Sequence, residues 1–203
     1  MQIKHLVLSM LATLFVGSVP LLGEDVVTEN RHKEISNGKR VGDRYELDNV
    51  GSIEDFQKTR EWREIVIKEL KEKNFRLFCT SDKALSTGIA FSTMPSLDTT
   101  QKSLDVIIEN TVQTFIKPSA EGAVQNLHVV KYRRSANGHD WSCVNIEHAD
   151  PNGTKMFTEF MIRFEDVVYQ FQMSALTKEH LAELILVAES FEPNRETRSA
   201  PIE

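Results

Sequence analysis

The sequence predicts an α+β domain in which an antiparallel sheet, built from a hairpin and a four-stranded meander, is covered by helices as an α/β/α sandwich. Three observations predict it. Two Asn-Gly pairs, Asn137-Gly138 and Asn152-Gly153, separate runs rich in strand formers. Both central residues of a type I′ hairpin turn need positive φ, which Asn and Gly tolerate best. Apolar residues recur at helical spacing in three other stretches. The composition, 40% hydrophobic and 27% charged over 203 residues, is that of a globular chain and not of a disordered, collagen-like or coiled-coil one. A chain of this length buries roughly 70% of its unfolded surface, so it needs neither a metal nor disulfides to hold a core.

The first element is a leader. Lys4 and His5 precede an apolar run from Leu6 to Val16, interrupted only by Ser9 and Thr13, and Pro20 breaks the segment before Gly23. That is a secretory signal pattern. Cleavage is expected after Gly23, with Ser18 as a second position. An uncleaved anchor is a poorer reading, because the run is shorter than the ~20 residues of a membrane span. The expected location is therefore periplasmic or secreted, with no integral membrane span once the signal is removed. Residues 24–51 are charged and small, with Val26, Val27, Ile35 and Val41 too scattered to form a face, and are expected to be a flexible polar linker.

The folded domain is expected over residues 52–193. Ser52 and Asp55 have the spacing of a helix-capping pair, and Phe56, Trp62, Ile65, Val66 and Leu70 follow at helical intervals, which predicts a helix over 53–73. The charges from Lys68 to Lys73 fit its solvated face. Phe75, Leu77 and Cys79 alternate with Arg76, Phe78 and Thr80, and Thr87–Met94 is rich in strand formers, which predicts a strand pair. Ser96 or Asp98 caps a second helix with Leu104, Ile107, Ile108, Val112 and Phe115 on one face, closed by Pro118.

The meander is expected over 125–134, 139–148, 154–164 and 167–174, with Glu165 and Asp166 at its last turn. Met156, Phe160, Ile162 and Phe164 share one face of the third strand, and Tyr169, Phe171 and Met173 one face of the fourth. These rows predict one heavily apolar face that needs a helical cover. A final helix from Thr177 supplies part of it through Leu181, Leu184, Ile185, Ala188 and Phe191, and residues 194–203 read as a disordered tail.

This order of elements, ending in FMIRFEDVVYQFQMSA (residues 160–175), a short helix and Glu189-Ser190-Phe191-Glu192-Pro193, resembles the PsbP-like α/β/α sandwich family. That family includes the extrinsic photosystem II protein, with related folds in a Ran-binding nuclear import factor and periplasmic DcrB-type proteins. The resemblance spans about residues 53–193 and departs at the charged stretch around Trp62, where an aromatic-rich strand would be expected. It implies a non-enzymatic accessory or binding module and supplies no catalytic residue.

The residues themselves offer few sites. His128, His139, His148, Asp140, Glu147 and Asp150 are the candidates for metal or acid–base chemistry. His139 and His148 fall at opposite ends of one predicted strand, about 30 Å apart at ~3.3 Å per residue, too far to share an ion. His128 shares a face with Val130 and Tyr132 as a sheet-surface residue. No G-x-S-x-G, H-E-x-x-H or Walker pattern is present. No catalytic, cofactor-binding or metal residue is therefore assigned, and no cofactor is expected.

Trp62 and Trp141 read as packing residues, and Asn152-Gly153-Thr154 matches a glycosylation sequon already explained by its turn. Cys79 and Cys143 are expected to be unpaired thiols, with a disulfide as the alternative in an exported chain. The balance of 24 Lys plus Arg against 30 Asp plus Glu, a net charge of -6, is the wrong sign for a nucleic-acid binder. The functional expectation is an exported binding or assembly-accessory protein with a protein partner in the cell envelope. The alternative is a small-molecule carrier or weak hydrolase with a pocket between helices and sheet.

Overall fold

Successive side chains of a strand point to opposite faces, and that alternation decides how this chain is layered. The computed structural model describes residues 38–47, 50–55, 62–65, 75–80, 87–95, 101–120, 124–164 and 167–194. Among these residues eleven strands and two helices are seen: β1 (Gly38–Val41), β2 (Arg44–Leu47), β3 (Gly51–Glu54), β4 (Trp62–Ile65), β5 (Phe75–Thr80), β6 (Gly88–Pro95), α1 (Gln101–Ala120), β7 (Gln125–Ala136), β8 (His139–Ala149), β9 (Lys155–Phe164), β10 (Val167–Ala175), α2 (Lys178–Glu189) and β11 (Glu192–Pro193). They form two antiparallel sheets, ordered β4-β5-β6-β10-β9-β8-β7 and β1-β2-β3-β11.

The meander forms as its turn residues dictate, by two different routes. At the first turn Asn137 (φ 51°) and Gly138 (φ 75°) are both left-handed, as type I′ requires. The second turn is not type I′, contrary to expectation. Pro151 fixes its own φ near −65°, so Asp150–Gly153 closes as a tight turn in which the Gly153 N–H donates to the Asp150 carbonyl (2.9 Å) and only Gly153 (φ 81°) is left-handed. The Asp150 carboxylate accepts from the backbone N–H groups of Asn152 and Thr154, both at 2.8 Å.

The single apolar face expected of the meander is corrected to two. The β9–β10 register pairs Gln170 with Ile162 and Phe171 with Met161, so the Phe160–Ile162 row and the Tyr169–Phe171–Met173 row lie on opposite faces. On one face Val144, Ile146 and Phe160 pack with Val112 and Phe115 of α1. On the other, Trp141, Cys143, Met161, Tyr169, Phe171 and Met173 pack with Leu181, Leu184 and Ala188 of α2 and with Tyr45, Leu47, Val50 and Ile53 of the small sheet. α2 starts at Thr177, whose hydroxyl accepts from the His180 N–H at 3.2 Å.

Three expectations for the first half change. Residues 53 and 54 end β3 and residues 62–65 are β4, where a continuous helix over 53–73 was expected. The Ser52–Asp55 pair serves strands instead of a helix cap: Ser52 Oγ accepts from Arg44 Nε at 2.8 Å, and buried Asp55 pairs with Arg40 at 2.6 Å. The linker expected over 24–51 contains β1 and β2, with Tyr45 and Leu47 each 2% exposed. The fold therefore extends at least to Gly38. α1 also runs past Pro118 to Ala120.

The strand pair before α1 and the final helix form as expected. The leader, residues 24–37, the Lys68–Lys73 charges and residues 195–203 lie outside the described residues. Asn194 still belongs to the fold, its N–H donating to the Val50 carbonyl at 2.9 Å.

Candidate functional site

The strand register scatters the residues on which a His-based site would depend. His128 lies exposed on β7, and His139 and His148 fall at the two ends of β8. Asp140 accepts from the Ser135 hydroxyl, Glu147 pairs with Lys178 at 2.5 Å, and Asp150 is occupied by its turn. Among the described residues no three His, Cys, Asp or Glu side chains gather as metal ligands would.

His148 is half-buried against Phe115, the rings 5.5 Å apart edge to face, and its Nδ1 has no hydrogen-bond partner. Burial holds its imidazole below the ordinary value of 6.5, with Asp150 pulling weakly the other way. A base whose folded pKa is depressed contributes stability at pH above its unfolded value, and that contribution falls as pH drops below about 6.5. His148→Gln removes this dependence. Thermal unfolding at pH 7.5 and 5.5 is expected to show the variant gaining on the wild type as pH falls, and a constant difference between the two contradicts this.

Trp141 is a core residue, 1% exposed, with the Arg163 guanidinium 5.8 Å from its ring centroid. Trp62 begins β4 opposite Thr80. Cys143 is a free, buried thiol. β8 is separated from β5, the strand of Cys79, by β9, β10 and β6. At roughly 4.8 Å per strand that is about 19 Å, beyond the ~7 Å a disulfide allows. Burial, with the Glu159 carboxylate adding to it, pushes the Cys143 thiol up to about 12, which removes its nucleophilic thiolate.

The structure gathers a polar cluster that sequence reasoning missed. Glu159, 1% exposed, accepts from Tyr132 Oη at 2.5 Å and Asn145 Nδ2 at 2.8 Å. The β8–β9 register sets Asn145 opposite Glu159. Tyr132 belongs to β7, the outermost strand on that side of the sheet, and is 36% exposed, so its ring spans from surface to carboxylate. The only sequence signal was a Glu in the apolar run MFTEFMIRF (residues 156–164).

Beside this cluster Val130 is 41% exposed. Arg134 pairs with Glu189, and Asn137 Nδ2 donates to the Glu189 carbonyl at 2.6 Å, tying the β7–β8 hairpin to the end of α2. On the opposite face an open groove of about 570 Å³ runs between α1 and the β7–β8 pair, lined in part by Asp105, Ile108, Glu109, Lys131, Arg133 and Ser142. Lys131 pairs with Glu109 across it at 2.7 Å. Neither His128 nor His148 lines it. No described helix is long and apolar enough to cross a membrane.

No family model and no curated protein matches the sequence. Several solved structures are similar, two of them as follows. A crystal structure from Bacteroides thetaiotaomicron VPI-5482 aligns at 12% identity with a TM-score of 0.48, covering 74% of this chain and 47% of that one. This chain thus spans about half the length of that relative. The solution structure of cyanobacterial PsbP from Synechocystis sp. PCC 6803 aligns at 10% identity with a TM-score of 0.51, covering 88% of this chain and 99% of that one. The second likeness embraces both nearly complete chains, and on it the mixed α+β architecture described above is a PsbP-like fold.

Proposed function

We propose that this protein is an exported, non-enzymatic binding or assembly-accessory module that acts through protein–protein contacts in the periplasm or cell envelope, reached by cleavage of the leader near Gly23. The observation that carries this reading is where the apolar surface goes. Around β8, β9 and β10 both faces of the large sheet are filled by side chains, with Phe160, Met161, Phe171 and Met173 at 0% exposure. Val130 and Tyr132 remain exposed on β7, whose outer edge has no paired strand among the described residues. Interface centres favour Tyr, and Tyr132 shares one face of β7 with exposed Val130. The PsbP-like fold, that of an extrinsic accessory protein, fits the same role.

A small-molecule carrier or weak hydrolase is the second reading, favoured by the groove between α1 and the β7–β8 pair. An ion pair already crosses that groove, and the Cys143 side chain lies on the opposite face of the sheet, packed with α2, so it offers the groove no thiol. The two readings separate by crosslinking in the native envelope. With a photoreactive residue at Val130 the binder reading expects a discrete adduct with one protein, absent when the probe replaces exposed Glu179 on α2. Equal labelling from both positions, or none from Val130, goes against it.

A further inference from the structure

Two turns of the meander carry Asn-Gly, and the two pairs sit in different hydrogen-bonding environments. In such a pair the glycine nitrogen can attack the side-chain amide carbon of the asparagine. Nδ2 leaves as ammonia with the proton from the glycine nitrogen, a five-membered succinimide closes, and water opens it to aspartate or isoaspartate. Glycine favours the step because no side chain restricts its backbone. The attacking N–H must not be engaged elsewhere, and the chain must be able to turn towards the asparagine side chain.

Asn137-Gly138 meets both needs. The pair is exposed, and a Cβ at Gly138 would meet no atom within 4 Å. The loop closes through its flanking residues, Ala136 opposite His139, and the Gly138 N–H makes no hydrogen bond among the described residues. One bond holds the asparagine, from Nδ2 to the Glu189 carbonyl at 2.6 Å. Three bonds hold the second pair. The Gly153 N–H donates to the Asp150 carbonyl at 2.9 Å, and the Asp150 carboxylate accepts from the N–H groups of Asn152 and Thr154, both at 2.8 Å. The nucleophile that Asn152 needs is therefore turned towards Asp150, in a turn that Pro151 stiffens.

We propose that Asn137 is a self-modifying site whose deamidation releases the β7–β8 hairpin from the end of α2. The last four carbonyls of a helix find no partner within it, and Asn137 supplies one for Glu189, the last residue of α2. A carboxylate is an acceptor only, so the aspartate product cannot donate to that carbonyl. It also places a negative charge at the negative end of the helix dipole, where the last turn holds no basic residue and the Glu189 carboxylate is close by. The isoaspartate product goes further, adding a backbone carbon to a two-residue loop whose length fixes the strand register. The Arg134–Glu189 ion pair is retained in both.

Ageing of the full chain in mildly alkaline buffer, followed by peptide mapping that separates aspartate from isoaspartate, tests the site. Conversion at Asn137 is expected to be at least about fivefold faster than at Asn152, the factor that one net hydrogen bond supplies. Asp150→Ala removes two of the three bonds at the second turn and is expected to speed conversion there. In Asn137→Asp, amide hydrogen exchange over residues 134–140 and 186–190 is expected to rise about fivefold over the wild type, while β10 is unchanged. No conversion at Asn137, equal or faster conversion at Asn152, an Asn152 rate unmoved by Asp150→Ala, or unchanged exchange in Asn137→Asp would overturn the proposal.

Discussion

A chain beginning at Gly51 is expected not to fold, whereas one beginning at Glu24 is expected to melt cooperatively. The shorter chain lacks β1 and β2 and with them Tyr45, Leu47 and Val50, all at 4% exposure or less. Losing one large buried apolar side chain costs roughly 2–5 kcal/mol. Three such losses are comparable to the roughly 5–15 kcal/mol that typically holds a whole domain together. The deletion also strips Arg40 from Asp55, whose side chain is fully buried, leaving a carboxylate without its 2.6 Å partner. It removes the β2 ladder from β3 and the Val50 carbonyl that anchors Asn194. Circular dichroism melts of both chains check this. A cooperative transition in the shorter chain at a similar temperature contradicts it, and would return residues 38–50 to the role of a linker.

Phe171→Ala is expected to be the most damaging single truncation, at about 3–5 kcal/mol. Its ring lies 4.7 Å from Phe91, 5.5 Å from Phe191 and 6.0 Å from Trp141, centroid to centroid, so one deletion opens a cavity among three aromatic neighbours. At roughly 2–4 °C per kcal/mol for a chain of this size, the Tm should fall by about 6–20 °C. Val130→Ala on the exposed edge serves as the control and should cost no more than about 0.5 kcal/mol. A Phe171→Ala loss no larger than that of the control contradicts the placement of this core.

What was legible in the sequence was what local chemistry decides. Asn137-Gly138 closes its hairpin because its backbone demand is met within two residues, and the alternation on β8 and β10 follows from the pleat. Thr177 caps α2 from an adjacent position. The misreading at Ser52 involves partners far along the chain. Gly51 and Ser52 are held in a strand by Pro193 and Glu192, some 140 residues away, and the Arg44 guanidinium donates both to Ser52 and to the Ser190 carbonyl at 2.8 Å. Nothing near Ser52 announces this, so its spacing to Asp55 read as a helix cap.

Residues 38–47 looked like a linker because a four-residue strand such as RYEL needs only two inward side chains, too few to register as a pattern. The apolar rows of β9 and β10 were each visible. Their placement on opposite faces was not, because that depends on the register between β9 and β10. The Glu159 cluster was hidden for the same reason, since Tyr132, Asn145 and Glu159 converge only through two strand registers.

The proposal that this protein works through its surface, with its interior closed to ligands, is tested most directly by native mass spectrometry of the protein purified from its own envelope without denaturation. The expected spectrum contains the bare chain and, where a partner survives purification, a complex whose added mass is that of a protein. A stoichiometric adduct of small-molecule mass, retained under gentle activation, would contradict it and favour the groove between α1 and the β7–β8 pair as the working site.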